Sequence, residues 1–366
     1  MQKINYINLA SQWEDERKEL LPIIDKVLSS GQYIGGKYVE EFEARSADLC
    51  QTKYSVALNS GTDALVYGLY AVGVRRGDEV ITPPNSFIAT TAAIIHIGAK
   101  PVFVDVLPDQ NIDPSKIEAY ITSKTKAIMP VHLTGRMAKM DEIKKIADHF
   151  KISIIEDSAQ AIGSRYKGIP SGKWGKVGCF STHPLKNLNA CGDGGFLTTD
   201  DDEIAANIKL IRSHGLIDRN TVGRFGHVSR MDAVQAAILN FRIAKLADVI
   251  AKRQKNALLY RQILNPQKIF IPADQPFEFS THHTFVIQVN QRDKLRTKLI
   301  ERGIETSIHY PIPIHLQPAS INLGYSEGDF PKAELQAKGI LSLPIHQYLS
   351  DDEIHKISML INMLSE

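Results

Sequence analysis

The chain has 366 residues, of which 43% are apolar and 23% are charged, so it is long enough for two domains with a large buried core. A formal net charge of only +2 argues against a dedicated nucleic-acid binder. The opening residues lack the long apolar segment of a secretory signal, and no run approaches the roughly 18 apolar residues that a membrane span needs. We therefore expect neither a membrane nor a nucleic-acid partner.

The cysteine content favours a reducing compartment. Cys50, Cys179 and Cys191 are too few and too far apart for a disulfide framework, and no CxxC pair suggests a zinc site. We expect a cytoplasmic protein without a bound metal.

Short apolar runs alternate with helical patterns through the first two thirds of the chain. The runs are rich in β-branched residues, which predicts strands at Glu79–Thr82, Pro101–Val106, Ala127–His132, Ile152–Glu156, Val177–Ser181 and Gly195–Thr199. The segments between them predict helices at Asp63–Val72, Ile88–Ile97, Pro114–Ile121, Asp141–Phe150 and Asp201–Ser213. This alternation predicts an α/β fold in which helices flank a mostly parallel central sheet. Ligands bind such sheets at the carboxyl ends of the strands.

The last third predicts a different organisation. A long helix is expected from Met231 through Ala251 and beyond, followed by a Pro-rich irregular segment at Ile263–Phe279. The remaining elements are a strand at Thr284–Val289, a helix near Asp293–Arg302, a loop at His309–Pro318 and a final helix from about Asp351. We predict a large domain at 1–250, whose N-terminal segment packs with the small domain, and a smaller C-terminal α+β domain at 251–366.

Polar side chains follow the strand predicted at Ile152–Glu156. Asp157 comes directly after this strand, and Gln160 lies three residues further on. A carboxylate beside a pyridine nitrogen keeps that nitrogen protonated, as the electron sink of pyridoxal 5'-phosphate (PLP) requires. The same residues are also compatible with a helix cap or a solvated strand end.

A single lysine, Lys186, lies in the loop after the strand Val177–Ser181. A lysine that forms a Schiff base must be partly desolvated, so that its amine can lose a proton and attack. Ser181 could donate a hydrogen bond to a phosphate group. Most lysines are solvated surface charges, and the glycines at 192–195 could form a plain hairpin turn, so this segment alone leaves both interpretations open.

Two more segments suggest ligand contacts. The small residues of Asn59–Leu65 open a helix, and N–H groups at a helix N-terminus form an anion site. Phe87, in the segment Pro84–Thr90, could stack on a flat cofactor ring. The ordinary alternatives are a helix cap for the first segment and core packing for Phe87.

Together these segments resemble the fold-type I PLP enzymes and, among them, the DegT/DnrJ/EryC1/StrS family of nucleotide-sugar aminotransferases. The resemblance covers nearly the whole chain and is carried by GQYIGG, NSGTDAL, GDEVITPPNSFIATTAAI, AKPVFVDV, TKAIMPVHLTG, IIEDSAQAIGS, the lysine loop, IRSHG, SRMDAVQAAIL and HYPIP. It implies the fold-type I PLP-transferase fold and a homodimer in which each active site is built from two subunits.

The resemblance also implies roles for the residues of the cofactor site. Lys186 would hold PLP as a Schiff base and shuttle protons, and Asp157 would pair with the pyridinium nitrogen. Gln160 would lie near the ring hydroxyl, and Phe87 would stack on one face of the ring. The phosphate would be held by Gly61, Thr62 and Ser181.

Further residues are implied at the substrate site. The resemblance places Tyr33 and Ile34 at the sugar pocket, His309 and Tyr310 at the nucleotide-sugar site, and Arg212 and His214 in a partner loop or the active site. A structural role for His309 remains open. His183 stands where relatives often have an aromatic or apolar residue, and it either faces the ligands or packs internally.

Two comparisons with the family pattern matter for function. Relatives often carry an Asn that reaches from the neighbouring subunit to the PLP phosphate, and Val228 occupies that position, flanked by His227 and Ser229. Either neighbour substitutes for the Asn, or the phosphate is held without that contact. One branch of the family replaces the Schiff-base lysine with histidine and performs dehydration, whereas this chain keeps Lys186.

The resemblance therefore implies transfer of an amino group from glutamate, which becomes 2-oxoglutarate, to a ketosugar attached to a nucleoside diphosphate. The product would be an aminosugar nucleotide for polysaccharide, lipopolysaccharide or antibiotic synthesis, with amination at C3 favoured over C4. The alternatives are a PLP-dependent sugar dehydratase, a regulator that binds PLP without turnover, and a non-enzymatic nucleotide-binding α/β protein.

Overall fold

The computed structural model describes residues 3–365, and a seven-stranded sheet forms its centre. The strands in chain order are β1 (Tyr54–Leu58), β2 (Glu79–Thr82), β3 (Lys100–Phe103), β4 (Thr125–Ile128), β5 (Ser153–Asp157), β6 (Arg165–Tyr166), β7 (Ile169–Pro170), β8 (Val177–Ser181), β9 (Gly195–Thr199), β10 (Glu278–Phe279), β11 (Phe285–Gln288) and β12 (Ile340–Leu343). The central sheet has the order β1-β9-β8-β5-β4-β2-β3. Strand β9 is antiparallel to β1 and β8, and the other neighbouring strands are parallel, so the predicted mostly parallel sheet is confirmed.

Twelve α-helices occur within residues 3–365. They are α1 (Leu9–Ser29), α2 (Lys37–Cys50), α3 (Gly61–Ala71), α4 (Ile88–His96), α5 (Pro114–Ile117), α6 (Met140–Phe150), α7 (Asp202–Ile211), α8 (Ala233–Ile243), α9 (Leu246–Ile263), α10 (Arg292–Glu301), α11 (Pro331–Gly339) and α12 (Asp351–Leu364). Local capping fixes several starts: Asp201 accepts hydrogen bonds from two N–H groups of α7, and Ser350 and Glu353 form a capping box on α12. No helix in the described part of the chain has both the length and the apolar composition to traverse a bilayer.

The predicted elements agree with the structure to within a few residues, with two informative differences. The strands predicted at Pro101–Val106 and Ala127–His132 end earlier, because the chain leaves the ladder at the carboxyl edge of the sheet. Beyond that point Val106 and Val131 make isolated bridges with Ile112 and Asp157. Helices α1, α2 and α11 and strands β1, β6, β7, β10 and β12 were not predicted.

The long helix predicted from Met231 through Ala251 is wrong, because the structure divides it into α8 and α9. The break lies at Ala244 and Lys245, and the Lys245 ammonium pairs with Glu19. The change of direction lets α8 pack against α1 and α2, whereas α9 packs against α12. One straight helix could not bury its apolar residues against both groups of partners.

Separate apolar clusters cover the two parts of the chain. One cluster joins the central sheet to α3 and α4 and includes Leu65, Ile94 and Ile155. Another is formed by residues between 257 and 361 together with Ile4, whose backbone bonds to Gly303 and Glu305. The N-terminal segment thus packs against the C-terminal part of the chain, while the domain boundary near residue 250 stays a prediction.

Candidate active site

A cavity of about 430 Å³ opens at the carboxyl ends of β5 and β8. Parallel strands deliver their following loops to one edge, so segments far apart in sequence meet there. The structure brings together the following predicted residues on its wall: Gly61, Thr62, Phe87, Asp157, Gln160, Ser181, His183, Lys186, His309 and Tyr310. Ten candidates spread over 250 residues thus face one space.

Lys186 is partly buried in the wall of this cavity, in a turn where its N–H donates to the His183 carbonyl. Burial lowers the pKa of the Lys186 ammonium to about 8, although the Asp157 carboxylate acts in the opposite direction. At pH 7.5 a pKa of about 8 leaves roughly a quarter of the amine neutral, against about 0.1% for an ordinary lysine. Lys186 is therefore a nucleophilic amine at neutral pH.

Asp157 ends β5 and is 4% exposed. Thr90 Oγ1 donates to Asp157 Oδ2 at 2.7 Å, and the Ala159 N–H donates to Oδ1 at 3.2 Å, so both oxygens are held in place. Burial raises the pKa of this carboxyl group, and the hydrogen bonds and the Lys186 charge lower it. A cation beside the carboxylate, such as a pyridinium nitrogen, would favour the ionised form.

The start of α3 forms an anion cradle. Ser60 caps the helix by accepting from the Asp63 N–H at 3.1 Å, and the first N–H groups of the helix, at Gly61 and Thr62, have no partner inside it. A Cβ on Gly61 would lie 2.6 Å from Ser181 Cβ, so glycine allows the helix end to approach β8. The backbone N–H groups at the start of α3 and the hydroxyl groups of Thr62 and Ser181 line this end of the cavity, as a phosphate site requires.

Aromatic and amide groups join opposite walls of the cavity. The rings of Phe87 and Tyr310 are 5.7 Å apart, and Phe87 is 55% exposed, which leaves a face free for a planar ligand. Gln160 Nε2 donates to Tyr310 Oη at 3.2 Å, and Gln160 Oε1 accepts from the Thr134 N–H. The amide is thereby fixed at the cavity edge.

The two predicted histidines differ in their surroundings. The Nδ1 atom of His309 lies 2.8 Å from Ser342 Oγ, and burial together with the Lys186 charge lowers the pKa of His309 to about 4, so the ring is neutral at physiological pH. His183 is exposed at the cavity rim, where its Nδ1 accepts from the Leu185 N–H.

Four predicted substrate residues do not line the cavity of this chain. Tyr33 and Ile34 are more than half exposed, on the segment before α2. The Arg212 guanidinium is engaged by Glu43 and by the Ala57 carbonyl, so it holds α2 and β1 together. His214 lies in the turn after α7, where its N–H donates to the His227 carbonyl.

The surroundings of Val228 show which neighbour, His227 or Ser229, could replace the Asn that relatives often carry at this position. Ser229 is buried and hydrogen-bonds Asn59 within its own chain, with its Oγ 3.2 Å from Asn59 Oδ1. It is therefore committed to an internal contact. Val228 is 49% exposed, and His227 is exposed beside it. His227 is the neighbour that is free to reach another subunit.

Sequence reasoning missed several residues of the cavity wall: Tyr6, Thr90, Arg253, His283 and His346. Thr90 lies inside a recognised motif, and a search for a donor to Asp157 could have found it. Arg253 interrupts the buried face of α9, which also carries Ile250, Ala257 and Tyr260. A charged residue within an apolar helical stripe was the available signal.

The donor set of the cavity fits PLP. A lysine with a lowered pKa, a buried carboxylate without an ion-pair partner in residues 3–365, and a helix-end anion cradle match the aldehyde, the ring nitrogen and the phosphate. The fold and the site define a PLP-dependent enzyme of the α/β class.

Comparison with known proteins gives the family. The family model described as the DegT/DnrJ/EryC1/StrS aminotransferase family matches residues 14–362. The chain belongs to this family.

Curated relatives share about two fifths of their residues with this chain. A "pleiotropic regulatory protein" of Geobacillus stearothermophilus is 41% identical, over 95% of this chain and 94% of its own length. A dTDP-3-amino-3,4,6-trideoxy-alpha-D-glucose transaminase of Streptomyces venezuelae is 39% identical, over 95% and 92%. A UDP-2-acetamido-2-deoxy-3-oxo-D-glucuronate aminotransferase of Pseudomonas aeruginosa is 39% identical, over 96% and 97%.

Two solved structures have the same fold as this chain. DesV of S. venezuelae, in complex with a ketimine intermediate, superposes with a TM-score of 0.97 at 37% identity, over 99% of this chain and 98% of that one. NtdA of Bacillus subtilis, with bound cofactor PMP, gives 0.92 at 33% identity, over 99% and 86%. The predicted family, fold, enzyme class and cofactor are confirmed: the chain is a PLP-dependent aminotransferase.

Proposed function

We propose that this enzyme transfers the amino group of glutamate to a ketosugar attached to a nucleoside diphosphate, with C3 as the favoured position. The meeting of Lys186, Asp157 and the α3 anion cradle in one cavity carries the proposal. The names of the S. venezuelae and P. aeruginosa relatives, which act on dTDP- and UDP-linked sugars, support the sugar nucleotide and the C3 position.

Lys186 is the residue that moves protons in this proposal. Its partly neutral amine would hold the cofactor through its aldehyde group, and once the amino donor has taken that place, the same amine would accept and return a proton at the reacting carbon. When bound, PLP supplies the electron sink that makes this carbon acidic. Because the pKa of Lys186 is close to neutral pH, the amine can both accept and release a proton.

Asp157 and the anion cradle hold the cofactor in register with Lys186. The carboxylate, fixed by Thr90 and the Ala159 N–H, would face the ring nitrogen, while the N–H groups of Gly61 and Thr62 and the hydroxyl of Ser181 would bind the phosphate. Two anchors at opposite ends of a planar ligand fix its orientation. Gln160 and Phe87 would complete the contacts to the ring.

The substrate side of the cavity would be formed by His183, His309 and Tyr310. The rings of His309 and Tyr310 offer hydrogen bonds and flat surfaces, and the lowered pKa of His309 keeps its ring from adding charge near Lys186. Such groups suit a hydroxyl-rich sugar.

We further propose a homodimer with shared active sites. The segments that the family resemblance assigns to substrate and partner contacts carry exposed apolar side chains in a single chain: Tyr33 at 55%, Ile34 at 54%, Phe225 at 98% and Val228 at 49%. A C2 pair would cover them and place them near the partner's cavity. The cytoplasmic location stays a prediction that rests on three free cysteines.

A regulator that binds PLP without turnover is the second candidate, because the Geobacillus relative is named as a regulatory protein. Both candidates need a neutral Lys186 amine to hold PLP, so they are separated by incubation with glutamate alone, which only an aminotransferase converts to 2-oxoglutarate. The dehydratase reading is disfavoured because that branch carries histidine in place of the lysine.

A panel of nucleotide ketosugars tests the proposal. Purified enzyme is incubated with PLP, glutamate and each dTDP- or UDP-linked 3-keto or 4-keto sugar, and mass spectrometry follows the conversion of the ketone to the amine. We expect product with a 3-ketosugar and at least tenfold less with its 4-keto isomer. Preference for the 4-ketosugar would overturn the C3 assignment, and no amination of any sugar would overturn the substrate class.

A further inference from the structure

Four arginines are buried among residues 3–365, and one of them differs from the rest. Arg136 pairs with Asp274 and Glu278, Arg242 pairs with Glu16, and Arg292 pairs with Asp293. Arg253 is 8% exposed and has no carboxylate partner in the described part of the chain. A buried cation without a counter-charge is costly, so its retention calls for a ligand.

The guanidinium of Arg253 is oriented by the protein but only partly used. Its Nη1 donates to the carbonyls of His282 and His283, each at 3.2 Å, while Nε is buried without a hydrogen-bond partner. The edge formed by Nε and Nη2 is the edge that binds a carboxylate through two parallel hydrogen bonds. Arg253 also lines the cavity that contains Lys186.

The surroundings of Arg253 favour an anion. The acidic residues on the described wall of the cavity are Asp157 and Asp193, and neither forms an ion pair with Arg253. Burial lowers the pKa of Arg253 to about 10, so the group is still charged at neutral pH. The His283 carbonyl accepts from Arg253, and burial together with the charges of Lys186 and Arg253 holds the pKa of the His283 ring well below its ordinary value.

We propose that Arg253 binds a carboxylate of the amino-acid donor and of the 2-oxo acid formed from it. This inference rests on the proposed function, because it assigns one of the two substrates to a place in the same cavity. The Nε–Nη2 edge of Arg253 matches the planar carboxylate that every amino-acid donor carries, and Lys186 lines the same cavity. A ketosugar without a carboxylate offers no such group, so with such a sugar Arg253 would act in one half of the reaction.

The test compares half-reactions in the PLP-loaded full-length enzyme. Arg253→Met removes the charge at similar length, and Arg253→Lys keeps the charge but loses the paired donors. Lys252→Met, on the exposed face of the same helix, is the matched control for net charge. Glutamate alone is titrated and loss of the visible absorbance is followed; the aminosugar nucleotide is titrated separately in the reverse direction.

For Arg253→Met we expect the glutamate concentration for half-maximal rate to rise at least about 30-fold, because truncating one partner of a buried charge pair is strongly unfavourable. Arg253→Lys should lie between this variant and the wild type. The aminosugar half-reaction should change less than about threefold in all variants, and Lys252→Met should match the wild type.

Three outcomes would overturn the assignment: an unchanged glutamate dependence, an equal loss in both half-reactions, or a loss confined to the aminosugar. The last would indicate a carboxylate or phosphate of the nucleotide sugar instead. Binding of maleate, an unreactive dicarboxylate, is measured in parallel by calorimetry and needs no turnover. Weaker maleate binding to Arg253→Met would support the site even if glutamate proved not to be the donor, so the two proposals fail separately.

Discussion

The cavity has two walls that are built in different ways. The sheet wall, defined by Gly61, Thr62, Asp157, Ser181 and Lys186, comes from the ends of strands and the start of one helix. The outer wall, defined by Tyr6, Arg253, His283, His309 and Tyr310, comes from four separate segments that meet only in the folded chain. The sheet wall fits the cofactor, which both half-reactions use, and in our proposal the outer wall would face the substrates, which differ between them.

The largest expected effect is on the sheet wall. Asp157→Asn should lower the rate of both half-reactions by at least about 30-fold, because a buried amide cannot replace the negative charge opposite the ring nitrogen. Stopped-flow absorbance with glutamate, and separately with the aminosugar nucleotide, measures the two rates. Asp148→Asn, at an exposed position on α6, is the control and should match the wild type.

Loss of only one half-reaction in Asp157→Asn would contradict the claim that the sheet wall serves the cofactor and therefore both half-reactions. It would mean that this carboxylate acts on a substrate and not on the cofactor.

The smallest expected effect concerns the partner segment around Val228. Val228→Asn restores the amide that relatives often carry, and one added hydrogen bond of about 1 kcal/mol should tighten PLP binding about fivefold. Titration of the cofactor-free enzyme with PLP measures this change. Val222→Asn, at another exposed apolar position of the same segment, should leave the affinity unchanged. Equal affinities for Val228→Asn and the wild type would indicate that His227 already fills the contact, or that the segment lies away from the phosphate.

The sequence predicted the sheet wall because its chemistry is local. Asp157 directly ends an apolar strand, and Lys186 follows Ser181 in a single loop, so position in a parallel sheet was enough to bring them together. The same reasoning predicted β2, β8 and β9 with their observed bounds.

The outer wall depends on packing that no local pattern encodes. Arg253 reaches the cavity only because α8 and α9 are separate helices, and the continuous helix predicted across Ala244 and Lys245 hid that change of direction. Tyr6 reaches it because Ile4 bridges to Ile304, a contact between residues 300 positions apart. Arg212 shows the reverse case: its motif suggested a site residue, but Glu43 holds its guanidinium inside the chain.

The most direct test of the central claim is the reaction of the PLP-loaded enzyme with glutamate alone. The wild type should lose the visible absorbance of the lysine-bound cofactor and gain that of pyridoxamine phosphate, with one equivalent of 2-oxoglutarate released per active site. Lys186→Ala should show neither the initial band nor the conversion, and the surface variant Lys252→Ala should behave as the wild type. Conversion in Lys186→Ala at the wild-type rate would contradict the account, because the amine that carries the cofactor and moves the proton would then lie elsewhere.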